Sequence, residues 1–412
     1  SMVSASLRVV KSTSAPSAGV PTDTGSADME DGDDSSSEYK SYLVIGTAYA
    51  MHDEDEPTKG RILVLACDPE DDAGTAQRTI RTVTELQVRG GVYSMCQFFE
   101  GRLLATVNSK TQMYQLVNEG TGVVKLAVHG VGHHGHILSL FVASRADKML
   151  GPTETTNLSS MESSDGNKGA SKKDKEMLAI VGDLMRSISL VQYYPQHDTL
   201  EEVARDFNSN WTTSIGMLTD DVYLGSENWN NLFVLRRNTK AQSEEVRCRL
   251  DTVGEFHLGE MCNKFMSGSL VMPSSTSEAA TSNTRSPSRR SIASPKKSDS
   301  GKVPASSGGA AAATRSRRPV VAVGSQTLFG TVDGTLGAIL GLDGPTAAFF
   351  SCLERSMQKV ITPVGHFSHQ NYRAFNSEQR LHPSHGFVDG DLVESFLDLD
   401  KNTMISVVQQ MH

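Results

Sequence analysis

A repeated hairpin pattern constrains the fold more than any other feature of the sequence. Each copy has a short apolar run, a turn rich in Asn, Asp or Gly, and then an alternating apolar run. Polar turns of this kind close two antiparallel strands, so each copy predicts a β-hairpin. The copies lie at residues 103–117, 177–193, 222–237 and 327–342. A further strand-like apolar run precedes each hairpin, at residues 92–98, 136–143, 212–218 and 264–272.

The spacing of the turns predicts a β-propeller. The second and third turns, at Asp183 and Asn228, lie 45 residues apart, and propeller blades of about four strands repeat at roughly 40–50 residues. A β-sandwich also has short strands and turns, but it does not repeat its turns at this period. No helical pattern separates the strands, which argues against an α/β fold. We therefore predict an all-β chain with propeller blades over residues 39–342.

The pattern changes to a helical one after residue 342. Phe350, Leu353, Met357 and Val360 recur at helical spacing, and Thr346 is the predicted N-cap. Residues 389–399 and 402–412 also combine a capping residue with apolar positions on one face. These features predict a small helical C-terminal segment over residues 343–412, which we expect to be truncated at the end of the chain.

Three segments have the composition of disordered chain, which explains a hydrophobic content of only 38%. Residues 1–38 form an acidic, Ser-rich leader, and residues 146–176 and 273–318 are predicted insertions into the blades. The formal net charge is −9. Residues 285–318 contain nine Lys or Arg and one Asp, a local charge of +8 that leaves −17 elsewhere. An acidic body argues against nucleic-acid binding by the folded part.

The basic segment at residues 285–318 has three open interpretations. It is a nuclear-localisation signal, a phosphate-binding arm controlled by phosphorylation at its Ser-Pro sites, or a solvated insertion without a partner. The rest of the sequence predicts an intracellular protein. No apolar run approaches the ~20 residues that cross a bilayer, and the N-terminus has no signal-peptide pattern. The five cysteines lack the paired spacing of a disulfide or zinc framework and are predicted to be buried, reduced thiols.

One glycine pattern and a group of histidines have the residue types of cofactor or metal sites. Gly130, Gly132 and Gly135 form GVGHHG, a match to GxGxxG. Dinucleotide binding needs a helix directly after this pattern, whereas the strand-like HILSLFVA follows, so a glycine-rich propeller loop is the better interpretation. The stretch also contains four histidines without a cysteine or carboxylate among them: His129, His133, His134 and His136. We predict no cofactor and no metal and, because no catalytic motif occurs, no enzymatic activity.

Several longer phrases resemble one family. They are YLVIGTAYAMHDEDEPTKGRI, GGVYSMCQFFEGRLLATVNS, VGDLMRS, ARDFNSNW, LGSENWNNLFV, FHLGE and GFVDGDLVESFLDL. In this order they resemble the C-terminal propeller region of the large damaged-DNA-binding subunits, the adaptors of cullin-4 ubiquitin ligases. The triple-propeller subunits of splicing and polyadenylation complexes share the GTA…GRI opening and the repeat. ARDFNSNW and the LGSEN turn are more similar to the ubiquitin-ligase adaptors.

The resemblance implies a non-enzymatic scaffold for protein ubiquitination and DNA repair. In such a protein, one propeller binds the cullin and the other two form a cleft for propeller-type substrate receptors. The family's third propeller has seven blades, so this chain is expected to hold only the later ones, four to five by the repeat. Because an unclosed propeller exposes strand edges, we expect the isolated chain to fold poorly. Further expectations are a nuclear location with a cytoplasmic pool, only indirect contact with nucleic acid, and no membrane. The alternative is a scaffold of a splicing or polyadenylation complex.

The resemblance also implies which residues contact a receptor. They are Ile137, Leu138, Leu140, Phe141, Arg186, Arg205, Trp211, Asn228, Asn263 and Val332. The first four would line an apolar floor, the arginines would bind carboxylates or carbonyls, the tryptophan would be an anchor, and the last three would complete the edge of the cleft. Two residues depart from the family pattern. Trp229 replaces a small residue, and Met261 stands where an aromatic is expected.

Structural alternatives remain open for these residues. Trp211 is equally compatible with packing between blades, and Arg205 with a surface ion pair to Asp206. For residues 137–141, core burial is the default, because strand alternation turns only one face outward.

Overall fold

The computed structural model of the chain describes residues 1–11, 39–68, 79–118, 120, 123–145, 176–268 and 323–411. In this part of the chain the strands form five consecutive antiparallel units, which we call blades 1 to 5, and a mostly helical segment follows them. The prediction of an all-β, propeller-like fold with a small helical C-terminal segment is confirmed.

Blades 1 and 2 are four-stranded meanders, in which each strand pairs antiparallel with the next. Blade 1 contains β1 (Met2–Lys11), β2 (Tyr39–Ala48), β3 (Gly60–Asp68) and β4 (Thr79–Val88). Blade 2 contains β5 (Val92–Phe98), a 3-10 turn (Phe99–Gly101), β6 (Arg102–Val107), β7 (Lys110–Asn118) and β8 (Val124–His134).

Blades 3 and 4 repeat this plan, and blade 5 has three described strands. Blade 3 contains β9 (Ser139–Ser144), β10 (Met177–Asp183), β11 (Ile188–Tyr194) and β12 (Thr199–Arg205). Blade 4 contains β13 (Thr212–Met217), β14 (Val222–Glu227), β15 (Asn231–Arg237), the short helix α1 (Glu244–Arg247) and β16 (Leu250–His257). Blade 5 contains β17 (Cys262–Ser267), β18 (Val323–Thr331) and β19 (Leu336–Leu342).

The four predicted hairpins are all present, as β6–β7, β10–β11, β14–β15 and β18–β19. The apolar runs before them form β5, β9, β13 and β17, the first strands of blades 2 to 5. First strands of neighbouring blades contact each other: β1 contacts β5, β5 contacts β9, β9 contacts β13, and β13 contacts β17. The first strands therefore lie side by side along one edge of the assembly, as the inner strands of a propeller do.

The hydrophobic core lies between neighbouring blades. Val44 and Leu103 pack in a cluster between blades 1 and 2, Leu104 and Val191 in one between blades 2 and 3, and Tyr223 in one between blades 3 and 4. A fourth cluster joins blades 4 and 5. Strands such as β6 and β10 are buried on both faces, which explains their continuous apolar runs. Each buried Leu or Phe side chain contributes roughly 1.5–3 kcal/mol.

Glycines in two blades accommodate an aromatic ring across the hairpin. Gly225 on β14 pairs with Phe233 on β15, and a Cβ atom at Gly225 would lie 2.2 Å from the Phe233 ring. In blade 5, Gly337 is the cross-strand partner of Phe329, and a Cβ there would lie 2.1 Å from that ring. These hairpins therefore require glycine opposite the aromatic side chain.

The prediction of a disordered leader over residues 1–38 is wrong for Met2–Lys11, which forms β1. This strand pairs with β2 over seven residues, and its Ala5 and Leu7 are each 1% exposed in the blade 1 core. The burial of these alternating apolar side chains offsets the ordering entropy. The remainder of the leader and the predicted insertions, apart from Glu176, lie outside the described residues.

The predicted glycine-rich loop is also wrong, because most of GVGHHG belongs to β8. Gly130 has a φ of 63°, and a Cβ at Gly132 would lie 2.5 Å from the carbonyl oxygen of Thr111 on β7. The glycines permit close strand pairing at this point.

The C-terminal segment contains four helices and a small two-stranded sheet. They are α2 (Gly344–Val360), α3 (His369–Tyr372), β20 (Phe375–Asn376), β21 (Leu381–His382), α4 (Gly390–Glu394) and α5 (Lys401–Gln410), with 3-10 turns at Val364–His366 and Ser395–Asp398. The N-cap of α2 is Asp343, to whose carboxylate the N–H of Thr346 donates, so the predicted cap at Thr346 is wrong. Asp389 caps α4 as predicted, the 3-10 turn at Ser395–Asp398 follows directly, and Leu392, Phe396 and Leu399 pack in one cluster.

Among the helices that the structure describes, none has the length and apolar character to span a bilayer. All five cysteines are free thiols. Cys96 and Cys262 are buried as predicted, whereas Cys67 and Cys248 are exposed.

Candidate functional site

Blades 2 to 5 share one backbone hydrogen bond at the end where their first strands begin. In each blade, the N–H after the second strand donates to the carbonyl before the first strand. The pairs are Asn108 to Gly91 at 3.1 Å, Leu184 to Leu138 at 2.9 Å, Asn228 to Trp211 at 3.0 Å and Val332 to Met261 at 2.9 Å. We call this end of the blades the rim. It consists of the loops at residues 89–91, 135–138, 206–211 and 258–261 and the turns at residues 108–109, 184–187, 228–230 and 332–335.

Six of the ten predicted partner-binding residues lie on the rim. They are Ile137, Leu138, Arg186, Trp211, Asn228 and Val332, and they come from blades 3, 4 and 5 and the loops that enter them. Ile137 is 44% exposed, Trp211 45% and Val332 58%. Packing of Trp211 between blades, the structural alternative, is therefore wrong. Asn263 lies just below the rim as the second residue of β17 and is exposed.

The other three predicted residues lie farther from the rim surface. Leu140 and Phe141 are half-buried on β9, and Phe141 packs against the cluster between blades 3 and 4. Arg205 ends the outer strand β12, where its Nε lies 2.7 Å from Glu202 and its guanidinium lies over the exposed Phe207 ring at 5.6 Å. The alternative of an ion pair between Arg205 and Asp206 is wrong, because Asp206 points into the protein.

The rim loop at residues 206–211 buries the polar side chains of Asp206 and Asn210 and exposes its aromatic side chains. Asp206 and Asn210 are 3% and 5% exposed, whereas Phe207 is 65% exposed. Ser187 Oγ donates to Asp206 Oδ2 at 2.7 Å, and Asn208 donates to Oδ1 through both its backbone N–H and its side chain. Burial raises the pKa of Asp206, and these hydrogen bonds oppose the rise. Because apolar groups ordinarily take the buried positions, this arrangement is typical of a contact surface.

The C-terminal segment reaches this loop from the outside. Arg380 donates from Nη2 to Asn210 Oδ1 at 2.7 Å and from Nη1 to the buried Glu255 of β16 at 2.9 Å. The hydroxyl of Ser209 donates to Gln379 at 2.7 Å. Sequence reasoning missed these residues. Their partners lie 125 to 170 positions away, and no local pattern marks them.

The rim turn at residues 228–230 rests on a buried acid. Glu227 is 2% exposed and accepts hydrogen bonds from the Asn231 side chain and from the backbone of Trp229. Burial raises its pKa to about 7 against these hydrogen bonds and the charge of Arg380. Asn231 also donates to the carbonyl of Asn376, which is a second contact between blade 4 and the C-terminal segment. Trp229, which follows Asn228, is 46% exposed.

Three of the histidines of β8 and the loop after it contact strands β11 and β12 of blade 3. His133 and His136 place their Nε2 atoms 3.7 and 3.5 Å from Glu202, and His129 lies 3.2 Å from the Tyr193 hydroxyl. Burial lowers the pKa of His133 and of His129. In the described part of the chain, no three such groups are arranged to hold a metal ion.

Known proteins resemble the chain over nearly all of its length. The family model described as the CPSF A subunit region matches residues 22–144 and 157–398. The chain is 35% identical over 370 residues to DNA damage-binding protein 1b of Arabidopsis thaliana, and likewise to DNA damage-binding protein 1 of Solanum lycopersicum. Identity to the Oryza sativa subsp. japonica protein of the same name is 34% over 370 residues. Each alignment covers 90% of this chain but only 26% of the relative, so the chain spans about a quarter of these proteins.

Proposed function

Because the chain belongs to the family of the CPSF A subunit region, we propose that it is part of an adaptor that links a cullin-4-type ubiquitin ligase to interchangeable substrate receptors. In this role it acts without enzymatic activity in the response to DNA damage and in protein ubiquitination. The similarity to proteins named DNA damage-binding protein 1 supports this choice within the family. Those names describe binding and not a reaction.

The observation that carries the proposal is the set of exposed apolar residues on the rim of three neighbouring blades. Trp211 and Val332 take part in the shared backbone hydrogen bond of blades 4 and 5, Ile137 directly precedes its acceptor in blade 3, and each is at least 44% exposed. Trp229 extends the set by one position in blade 4. Tryptophan and arginine are enriched at the energetic centres of protein interfaces. An exposed surface of this composition is suited to an apolar helical segment of a receptor.

Polar groups on the rim support recognition of a specific partner. Arg186 is exposed on the turn that enters β11, and Asn228 occupies the corresponding turn of blade 4. A guanidinium group binds carboxylates and carbonyl oxygens in a fixed geometry. The proposed partner segment therefore carries apolar anchors together with an acidic or carbonyl group for Arg186.

Partners and location complete the proposal. The cullin is bound through propellers outside this chain, nucleic acid is contacted only through a partner, and the protein is nuclear with a cytoplasmic pool. The basic composition of residues 285–318 supports nuclear import. The alternative function is a scaffold in an mRNA splicing or polyadenylation complex, which the family description supports equally.

The test is an affinity purification of the tagged protein that carries this chain, expressed in its own cells, followed by quantitative mass spectrometry. A cullin together with propeller-type receptors is the expected result. Splicing or polyadenylation subunits without a cullin would refute the proposal in favour of the alternative.

Variants of two rim residues test whether the rim is the surface that binds the receptor. Trp211→Ala and Arg186→Glu are each expected to lower receptor recovery by about tenfold or more, as for an interface hot spot, and to leave cullin recovery unchanged. The matched control is Arg236→Glu, because Arg236 is exposed at the opposite end of blade 4. Equal receptor loss in the control would show that the rim is not the binding surface.

A further inference from the structure

We infer that Arg380 of the C-terminal segment is a positioning residue for the rim, because it holds the loop at residues 206–211 in the conformation that presents Trp211. The effect that we expect on receptor binding rests on the proposed function. The positioning of Trp211 itself does not depend on that function.

The first step of the argument is the attachment of Arg380. Its guanidinium bridges two buried groups of blade 4 and its entry loop, Glu255 at 2.9 Å and Asn210 at 2.7 Å. The same guanidinium lies over the Phe375 ring at 4.6 Å, which fixes its plane from the C-terminal side. The fork geometry of arginine allows both hydrogen bonds at once, whereas a lysine has a single nitrogen.

The second step is the chain of hydrogen bonds from Asn210 to the rest of the rim. Asn210 uses its side-chain oxygen for Arg380 and its side-chain nitrogen for Ser187 Oγ and Asp206 Oδ2, both at 3.3 Å. Its backbone carbonyl accepts from the N–H of Ser187 at 3.1 Å. Trp211 follows Asn210 directly, and Ser187 follows Arg186. One buried asparagine therefore connects Arg380 to the residues that directly adjoin Trp211 and Arg186 in sequence.

The third step is that buried hydrogen bonds, and not buried aromatic rings, hold this loop in place. Phe207 and Trp211 are exposed, so burial of their rings does not hold the loop in place. Its conformation depends on the buried hydrogen bonds of Asp206 and Asn210, and a charged donor such as Arg380 makes the stronger kind of hydrogen bond. Without the guanidinium, Asn210 Oδ1 and Glu255 would each be left buried without this donor. The loop would then gain conformations that turn Trp211 away from the rim.

The chain offers a direct probe, because its only two tryptophans are both on the rim. In the 412-residue chain carrying Trp229→Phe, Trp211 is the sole indole. Because an unclosed propeller is expected to fold poorly, a cooperative unfolding transition of this chain is verified first, and without one the recovery measurement in cells decides. Acrylamide quenching and the fluorescence anisotropy of this indole report its environment. We expect Arg380→Gln to change the quenching constant and lower the anisotropy, and Arg380→Lys to have a smaller effect. The matched control is Arg237→Gln, since Arg237 pairs with Glu176 at 2.8 Å at the opposite end of blade 4.

A second measurement uses the tagged protein in its own cells. Arg380→Gln is expected to lower the recovery of propeller-type receptors by about tenfold, the cost of a lost charged hydrogen bond, with Arg380→Lys intermediate and Arg237→Gln unchanged. Unchanged fluorescence of Trp211 in Arg380→Gln would overturn the inference. A lower melting temperature would not rescue it, because a loss of stability without a change at Trp211 is a purely structural effect. If the wild type recovers no receptor, the proposed function fails, and the fluorescence alone decides whether Arg380 positions the rim.

Discussion

Replacing Glu227 with glutamine removes a buried acid beneath the rim turn of blade 4. Burial raises the pKa of Glu227 from 4.5 to about 7. The native state therefore binds the proton more tightly than the unfolded state, so this group stabilises the fold at low pH. Its contribution is lost as the pH rises from the unfolded pKa through the folded one. A difference of about 2.5 pKa units at 1.36 kcal/mol each corresponds to roughly 3 kcal/mol.

The measurement is urea unfolding of the 412-residue chain between about pH 5 and about pH 8, at constant ionic strength. It uses preparations that unfold in a single cooperative transition, because the exposed strand edges are expected to impair folding. Wild type is expected to lose roughly 2–3 kcal/mol relative to Glu227→Gln across this window. His129, His133 and His257 have lowered pKa values and act with the opposite sign, but they are present in both proteins and cancel in the difference. The control is Glu245→Gln on the exposed face of α1. Parallel stability profiles for wild type and Glu227→Gln would refute the reasoning.

Two further predictions concern packing and the C-terminal segment. Gly225→Ala forces a Cβ against the Phe233 ring and is expected to destabilise the chain by about 1–3 kcal/mol. The control in thermal unfolding is Gly344→Ala, because Gly344 has open space around it. Equal melting temperatures of the two variants would contradict the packing argument. Asp389→Ala leaves the buried guanidinium of Arg373 without the carboxylate 2.6 Å away and with only the exposed Asp391 at 4.0 Å, and it is expected to cost about 3–5 kcal/mol. Asp391→Ala, whose side chain is 96% exposed, should cost under ~1 kcal/mol, and equal losses in the two variants would show that the buried pair contributes nothing.

The hairpins were predictable because their information is local. A turn at Asp183 or Asn228 and the apolar runs on either side lie within 17 residues (177–193 and 222–237), and this local pattern predicts a hairpin without knowledge of the rest of the fold. The strand at Met2–Lys11 was not predictable in the same way. Its partner β2 begins at Tyr39, so no short window contains both strands. The Ser-rich composition around it also matches that of disordered chain.

The rim was only partly predictable for a related reason. The resemblance identified Trp211 and Arg186, whose neighbours in sequence carry recognisable motifs. It did not identify Arg380 or Glu255, whose roles arise from side chains that meet across the fold. Composition marks Arg380 as an ordinary surface cation, and only the structure shows its carboxylate and amide partners. Long-range polar contacts of this kind have no sequence period, so pattern analysis does not detect them.

The structure separates the frame of the rim from the side chains that the frame presents. The frame consists of backbone hydrogen bonds, which require no particular side chain, and of buried polar groups such as Asp206 and Glu227, which do. Substitutions at the exposed positions Trp211 and Trp229 therefore alter what the rim contacts without altering its geometry, whereas substitutions at the buried acids alter the geometry itself. Trp229, which the resemblance predicts to replace a small residue, occupies an exposed position of this kind. Its effect is thus expected on the choice of partner, while the fold and the arrangement of the neighbouring blades stay the same.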